Sequence, residues 1–297
     1  MTSDAMPTVA MVGLGRMGSA MARRFHGAGY DLVLWNRDPA KSEAVAADIG
    51  APVASTPAEA ASRADIVFSS LADDDALREV YLGGDGVVSG IQTHTIAIDS
   101  STVDPQVVIE VGTAVDATGA VMIDCPVSGS VPVVEAGALT VMAGGPEEVI
   151  ASVEPLLLSI AKQVIRVGDR GAGAACKLAV NGLVHGLNVA LSEALVLAEK
   201  AGVRRDIAYD VFAGGVGGAP FVQYKREAFE HPEDATVAFS LDLVAKDLEL
   251  ITGLGQRVGA PMAQAQTGLE IVKAAIDSGL RDADMSAVAV YLRGDSA

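Results

Sequence analysis

Cysteine is scarce: Cys125 and Cys176 are the two in 297 residues. That is too few for a disulfide framework or a thiolate zinc site. The four histidines, His26, His94, His185 and His231, are scattered without metal-ligand spacing, so no metal is expected. A basic excess is missing too. Lys and Arg number 21 against 38 Asp and Glu, a net charge of −17. Nucleic acid and anionic membranes both require a basic face, so neither is an expected partner. An anionic small ligand would need a locally basic or hydrogen-bonding site. Apolar stretches are interrupted by Gly, Asp or Lys before reaching the ~20 residues of a spanning helix. Residues 1–9 show no basic segment followed by an apolar core; no secretory leader is expected, and the chain reads as cytoplasmic. Aromatics are thin at 4%, yet 50% of residues are hydrophobic, enough to build packed cores and to exclude general disorder.

The length predicts two domains, or one domain with a large appendage. Short apolar runs over Thr8–Val12, Leu32–Trp35, Ile66–Leu71, Thr95–Ile98 and Ala120–Ile123 read as strands. Helical spacing fills the gaps at Gly15–His26, Pro39–Asp48, Asp74–Tyr81 and Pro105–Ala117. Such alternation predicts a parallel, doubly wound α/β sheet. Leu139–Ala143 and Gln163–Val167, flanking a helix Glu147–Ile160, look like further strands. After Gly173 strand runs stop. Helices are expected at Ala174–Ala201, Ile207–Ala213, Pro220–Ala228, Leu241–Val258, Met262–Ser278 and Met285–Tyr291, with Gly202, Gly259 and Gly279 as C-terminal caps. The expected division is a sheet domain at 1–170 and an all-α domain at 171–297, jointed at Gly168–Gly173.

Gly13-Leu14-Gly15-Arg16-Met17-Gly18 follows the first strand and opens the first helix. In this place a GxGxxG is the dinucleotide fingerprint of a Rossmann domain: one glycine for the turn, one for close approach of backbone to pyrophosphate, one for helix packing. Backbone N–H groups at the helix start then hold the phosphates. An acid at the end of the second strand would favour NAD. Asn36 and Arg37 stand there instead, with Lys41 one turn on. A guanidinium pairs with a 2′-phosphate and an amide does not repel it, so NADP is favoured, with NAD as the alternative.

The segments GLGRMG (13–18) with NRDPAK (36–41), DSST (99–102), DCPVSGS (124–130) with GALTVMAGG (137–145), GAGAACKLAVN (171–181) and KDLEL (246–250) together resemble the β-hydroxyacid dehydrogenases, which include 3-hydroxyisobutyrate dehydrogenase and tartronate semialdehyde reductase. The resemblance implies NAD(P)-dependent interconversion of a short-chain 3-hydroxy acid and its semialdehyde. It assigns the substrate carboxylate to Ser128, Gly129 and Ser130, where N–H groups and hydroxyls can hold an anion without a full charge. Ser130 departs from the family's usual second glycine. The family's catalytic lysine falls on Lys177, and Asn181 lies one turn on, four residues later, in position to bind or orient the reacting hydroxyl. A lysine ammonium stabilises the charge that develops on a carbonyl oxygen and donates its proton; the amine is the base in reverse. Lys246, Thr102 and the pair Leu71-Ala72 correspond to cofactor contacts, Ala72 standing where many relatives have proline. His185, next on the same helix row, reads as a packing histidine. The long apolar helix carrying Lys177 points to a homodimer or homotetramer. Two rival readings are an imine reductase-like enzyme, which usually has aspartate or tyrosine in place of Lys177, and a non-catalytic NADP sensor.

Overall fold

Alternation along the strands decides how the sheet is covered. Val9 and Met11 of the first strand pack into one buried cluster with Leu32, Leu34, Phe68 and Ile98. Ala10 and Val12 point the other way, into a second cluster with Val33, Val67, Ala97 and Met122. Both faces are apolar because both carry helices, the condition for a doubly wound sheet. The computed structural model describes residues 6–294; the first five and last three residues, part of the stretch read for a leader among them, lie outside.

The strands are β1 (Val9–Val12), β2 (Leu32–Trp35), β3 (Ile66–Ser69), β4 (Ile96–Asp99), β5 (Val121–Asp124), β6 (Val127–Ser128), β7 (Leu139–Gly144) and β8 (Ala161–Gly168). Their order is β2-β1-β3-β4-β5-β7-β6, with β8 on β7. The first five run parallel, as expected. Beyond β5, where the sequence pattern gives no strand direction, the sheet becomes mixed. β7 is antiparallel to both β5 and β6, and β8 is parallel to β7. The short helices Pro57–Ser62, Val87–Gly90 and Val131–Glu135 add to the expected ones. Each has four to six residues, too few for a helical period to show.

The chain divides into two compact units, the first ending at Lys177 and the second beginning at Leu178. The helix Ala172–Lys200 runs through that division and is 29 residues long. Among the described residues it is the one helix that length and apolarity alone would allow to cross a membrane, and 44% of its apolar window is buried in the protein. In the second unit the described residues are helical apart from turns and one isolated bridge, Ser240 to Asp284. Leu178, Leu195, Tyr209, Leu248 and Val272 belong to its core.

Three helices there differ from expectation. Pro220–Ala228 is not one helix but two short ones, Pro220–Tyr224 and Arg226–Glu230, meeting at the buried Lys225. The expected Met262–Ser278 ends as an α-helix at Ala275 and continues as a π-helical turn, Ile276–Leu280, in which Gly279 has φ 102°. Met285–Tyr291 starts as a 3₁₀ turn before Val288–Arg293.

Candidate active site

The glycine turn sits at the carboxyl end of β1, between β2 and β3, where an open α/β sheet leaves its crevice. Its three glycines do three different things. Gly13 has φ 93°, and a Cβ there would lie 2.3 Å from the Ser70 carbonyl oxygen. At Gly18 a Cβ would lie 2.0 Å from the Gly13 oxygen, so helix Arg16–Gly27 closes directly on the turn. A Cβ on Gly15 would meet nothing within 4 Å. That open backbone, at a helix start with no side-chain cap, is the cradle a pyrophosphate requires. The residues present therefore fit a dinucleotide.

Asn36, at the end of β2, is turned inward. Its Oδ1 accepts the Leu14 N–H at 2.8 Å, and its Nδ2 donates to the Asp38 carbonyl at 2.9 Å. The amide braces the glycine turn. Arg37 is 78% exposed, with Nη1 3.9 Å from Glu79 Oε2; Asp38, its sequence neighbour, instead caps helix Pro39–Ile49. Lys41 is exposed on that helix, Arg16 is exposed, and Met17 is half-buried.

The loops after β3 and β4 are tied together around a buried acid. Asp99 Oδ1 accepts the Ser101 hydroxyl at 2.7 Å and the Ser69 hydroxyl at 2.8 Å, and Ser101 Oγ accepts the Leu71 N–H at 2.8 Å. Leu71, half-buried, and Ala72, exposed, are thus held against the segment that carries the half-buried Thr102. Burial pushes the Asp99 carboxyl up to about 6, against the hydroxyls that favour its charge. A carboxyl raised in the folded state stabilises the protein while protonated and loses that contribution as pH rises from the ordinary carboxylate range through about 6. Asp99→Asn is therefore expected to gain stability relative to the parent between pH ~4.5 and ~7.5. Thermal unfolding at both ends would show it; a difference that does not change with pH would remove Asp99 as the cause.

Ser128 is paired in register with Thr140 at the end of β6, and Gly129 follows with φ 140°. A Cβ on Gly129 would lie 2.5 Å from Leu139 Cδ2, so only glycine passes here. Neither the Ser128 nor the Ser130 hydroxyl bonds another described residue, and Ser130 does not cap the helix it precedes. Both are half-buried. Lys177 lies in the second turn of helix Ala172–Lys200 and is half-buried, not extended into solvent. The glycine turn, the serine loop and Lys177 all belong to the first unit.

In the second unit, Asn181 is 8% exposed and donates through Nδ2 to Asp247 Oδ2 at 2.6 Å. Asp247 is fully buried, with Lys246 Nζ 3.1 Å from its Oδ1 and His185 Nε2 3.4 Å from Oδ2. His185 packs on Phe239, ring centroids 5.8 Å apart, as a packing histidine does. Lys246 is 25% exposed, so the Lys–Asp pair is not a solvated surface pair. The role of Asp247 was missed in the sequence because nothing local distinguishes it from a surface acid. Asp99 and Asp124 did offer a local signal, an acid closing an apolar strand.

Comparison with known proteins turns this geometry into a family. Residues 8–168 match the NAD binding domain of 6-phosphogluconate dehydrogenase, and 171–292 the NAD-binding region of NADP-dependent 3-hydroxyisobutyrate dehydrogenase. 2-(Hydroxymethyl)glutarate dehydrogenase of Eubacterium barkeri is 33% identical over 94% of this chain and 93% of its own. The chain belongs to the β-hydroxyacid dehydrogenase family. As a β-hydroxyacid dehydrogenase it is an NAD(P)-dependent oxidoreductase acting on CH–OH groups. A Mycobacterium tuberculosis 3-hydroxyisobutyrate dehydrogenase solved with L-serine is 31% identical, with a TM-score of 0.86 over 97% of this chain and 100% of that one. An imine reductase from Pseudomonas sp. covers the chain as fully but reaches 22% identity and a TM-score of 0.64, a likeness of fold alone.

Proposed function

We propose that the chain interconverts a short-chain 3-hydroxy acid and its semialdehyde, with NADP(H) preferred and Lys177 as general acid and base. One observation carries this reading: the unit that holds the open glycine turn also holds, on the 128–130 loop, two serine hydroxyls that bond no other described residue, and it ends on a half-buried lysine. The nicotinamide supplies or accepts the hydride when bound. Ser128, Gly129 and Ser130 hold the substrate carboxylate, which fixes the position of the carbonyl. Lys177 hydrogen-bonds the carbonyl oxygen, stabilises the charge that grows there during reduction and donates the proton. Asn181, its amide nitrogen held by Asp247, binds or orients the same oxygen. Thr102, Leu71, Ala72 and Lys246 would be the side chains that contact the cofactor. L-Serine, seen with the tuberculosis relative, is itself a 3-hydroxy acid, which supports the substrate class.

Arg37 reads the 2′-phosphate in this proposal, with Lys41 as support. Arg37→Ala is expected to weaken NADPH selectively, by roughly tenfold, the loss of one charge-assisted contact. Parallel titrations with NADH and NADPH decide it; equal losses would mean that Arg37 does not distinguish them. The chain acts as a cytoplasmic homo-oligomer. Its thiols are unpaired, and Leu183 and Leu197, about four turns apart on one helix, are 68% and 73% exposed. The reaction itself is tested by a spectrophotometric screen of short 3-hydroxy acids and semialdehydes with both nucleotides. Nucleotide binding without turnover on any of them would favour the sensor.

A further inference from the structure

The helix Ala172–Lys200 starts on a buried carboxylate. Asp124, the last residue of β5, is 1% exposed. Its Oδ1 accepts the Gly171 N–H and its Oδ2 the Ala174 N–H, both at 2.8 Å. The first N–H groups of a helix have no partner within it, and one carboxylate here satisfies two donors at this start. Two glycines make room. A Cβ on Gly144 would lie 2.5 Å from Asp124 Oδ1, and one on Gly173 would lie 2.7 Å from Oδ2 and 2.6 Å from the Met142 carbonyl oxygen. Gly171 takes φ 91°, which turns the chain into the helix. Arg170 adds a third tie, its Nε donating to the Met122 carbonyl at 2.8 Å while Nη2 holds Asp116. The glycines of the GAGAACK segment thus seat the helix against β5 and β7.

We infer that Asp124 is a positioning residue for Lys177, acting through the first turn of the helix that carries it. Ala174, whose N–H the carboxylate holds, is one turn before Lys177, about 4.5 Å along the axis. Rise and rotation within a helix are fixed, so pinning that turn against the sheet fixes where the Lys177 Cα stands and from which side its side chain leaves. An end held only by solvent would leave the ammonium free to drift by a sizeable fraction of an ångström. Reacting groups tolerate little of that; a misplacement of about 1 Å can cost roughly 10²-fold in rate. The inference rests on Lys177 being the proton donor.

Asp124→Asn keeps the shape but offers an amide NH₂ to one of the two N–H donors. It is expected to lower kcat by about tenfold to a hundredfold. NADPH affinity, followed by nucleotide fluorescence, should stay within about twofold, because the turn at 13–18 makes no bond to Asp124. A cap that serves stability alone would lower Tm and leave the kcat of the folded protein unchanged, and that result overturns the inference. Lys177→Ala is run beside it. If that variant keeps its turnover, the role of Lys177 fails; if it is inactive while Asp124→Asn is unimpaired, the positioning role alone fails. Hydrogen exchange on the unmodified enzyme gives a measurement that no folding defect can obscure. The Gly171 and Ala174 amides should be protected, and exchange at the rate of open helix ends would contradict the clamp.

Discussion

Replacement of Lys177 by alanine is expected to lower turnover by a factor of roughly 10² or more, with nucleotide affinity almost unchanged. The argument is one of charge and geometry. During reduction the carbonyl oxygen gains negative charge, and a preorganised cation with a transferable proton is worth most at that moment. Lys177 is half-buried on a helix whose start is bonded to the sheet, so it is held in place at little further entropic cost. Lys177→Arg refines the test. An arginine keeps the charge but does not deprotonate, so it can neither give up the proton in reduction nor take it in oxidation, and it should retain only the electrostatic part of the rate in both directions. Steady-state rates in both directions, with single-turnover measurement of the hydride step, check both variants. Alanine within about threefold of the parent would remove Lys177 from the chemistry.

The largest effect on stability is expected at Lys225. Its Nζ lies 2.7 and 2.8 Å from the two oxygens of Asp284, and the side chains are 5% and 2% exposed. Asp284 also accepts N–H bonds from Ala238 at 2.9 Å and Ser286 at 3.1 Å. One ion pair thus joins the break between two short helices to the bridge at Ser240–Asp284. Burial raises the Asp284 carboxyl, but the hydrogen bonds and charge of Lys225, with the N–H groups, outweigh it and hold the carboxyl below its ordinary value. Lys225→Met strands a buried carboxylate and should cost about 3–5 kcal/mol in urea unfolding. Asp284→Asn in the same chain should recover part of that loss, since the uncompensated charge is gone. The sign with pH follows. A depressed carboxyl gives stability that is full at neutral pH and lost as pH falls through its folded value. A single variant costing under about 1 kcal/mol would show that the pair is not a strut.

The two largest expected effects fall on residues of very different legibility. Lys177 stands out as a candidate in the sequence because its setting is local: small residues before it, a polar row after it, and a resemblance that covers its segment. Lys225 does not. Gln223 and Arg226 favour a continuing helix, and the partner of Lys225 lies 59 residues away. Sheet direction divides the same way. β1 to β5 alternate with helices that leave a parallel return as the only short path. β6 has two residues, and nothing in two residues records that β7 will pass them in reverse. Asp124 lies inside the DCPVSGS segment, but its partners are amides 47 and 50 positions further on. Spacing along a chain reports turns, helices and loops that hold a phosphate; it is silent on which buried acid meets which distant N–H.

The brace at Asn36 has a bearing on any attempt to redesign nucleotide choice. Swapping that amide for an acid, the obvious route to an NAD enzyme, would keep the acceptor for Leu14 but set a second carboxylate oxygen against the Asp38 carbonyl, where a donor now sits. The substituted loop would then open at the glycine turn proposed to hold the pyrophosphate. Changing the preference of this scaffold therefore calls for a compensating donor nearby, supplied together with the acid.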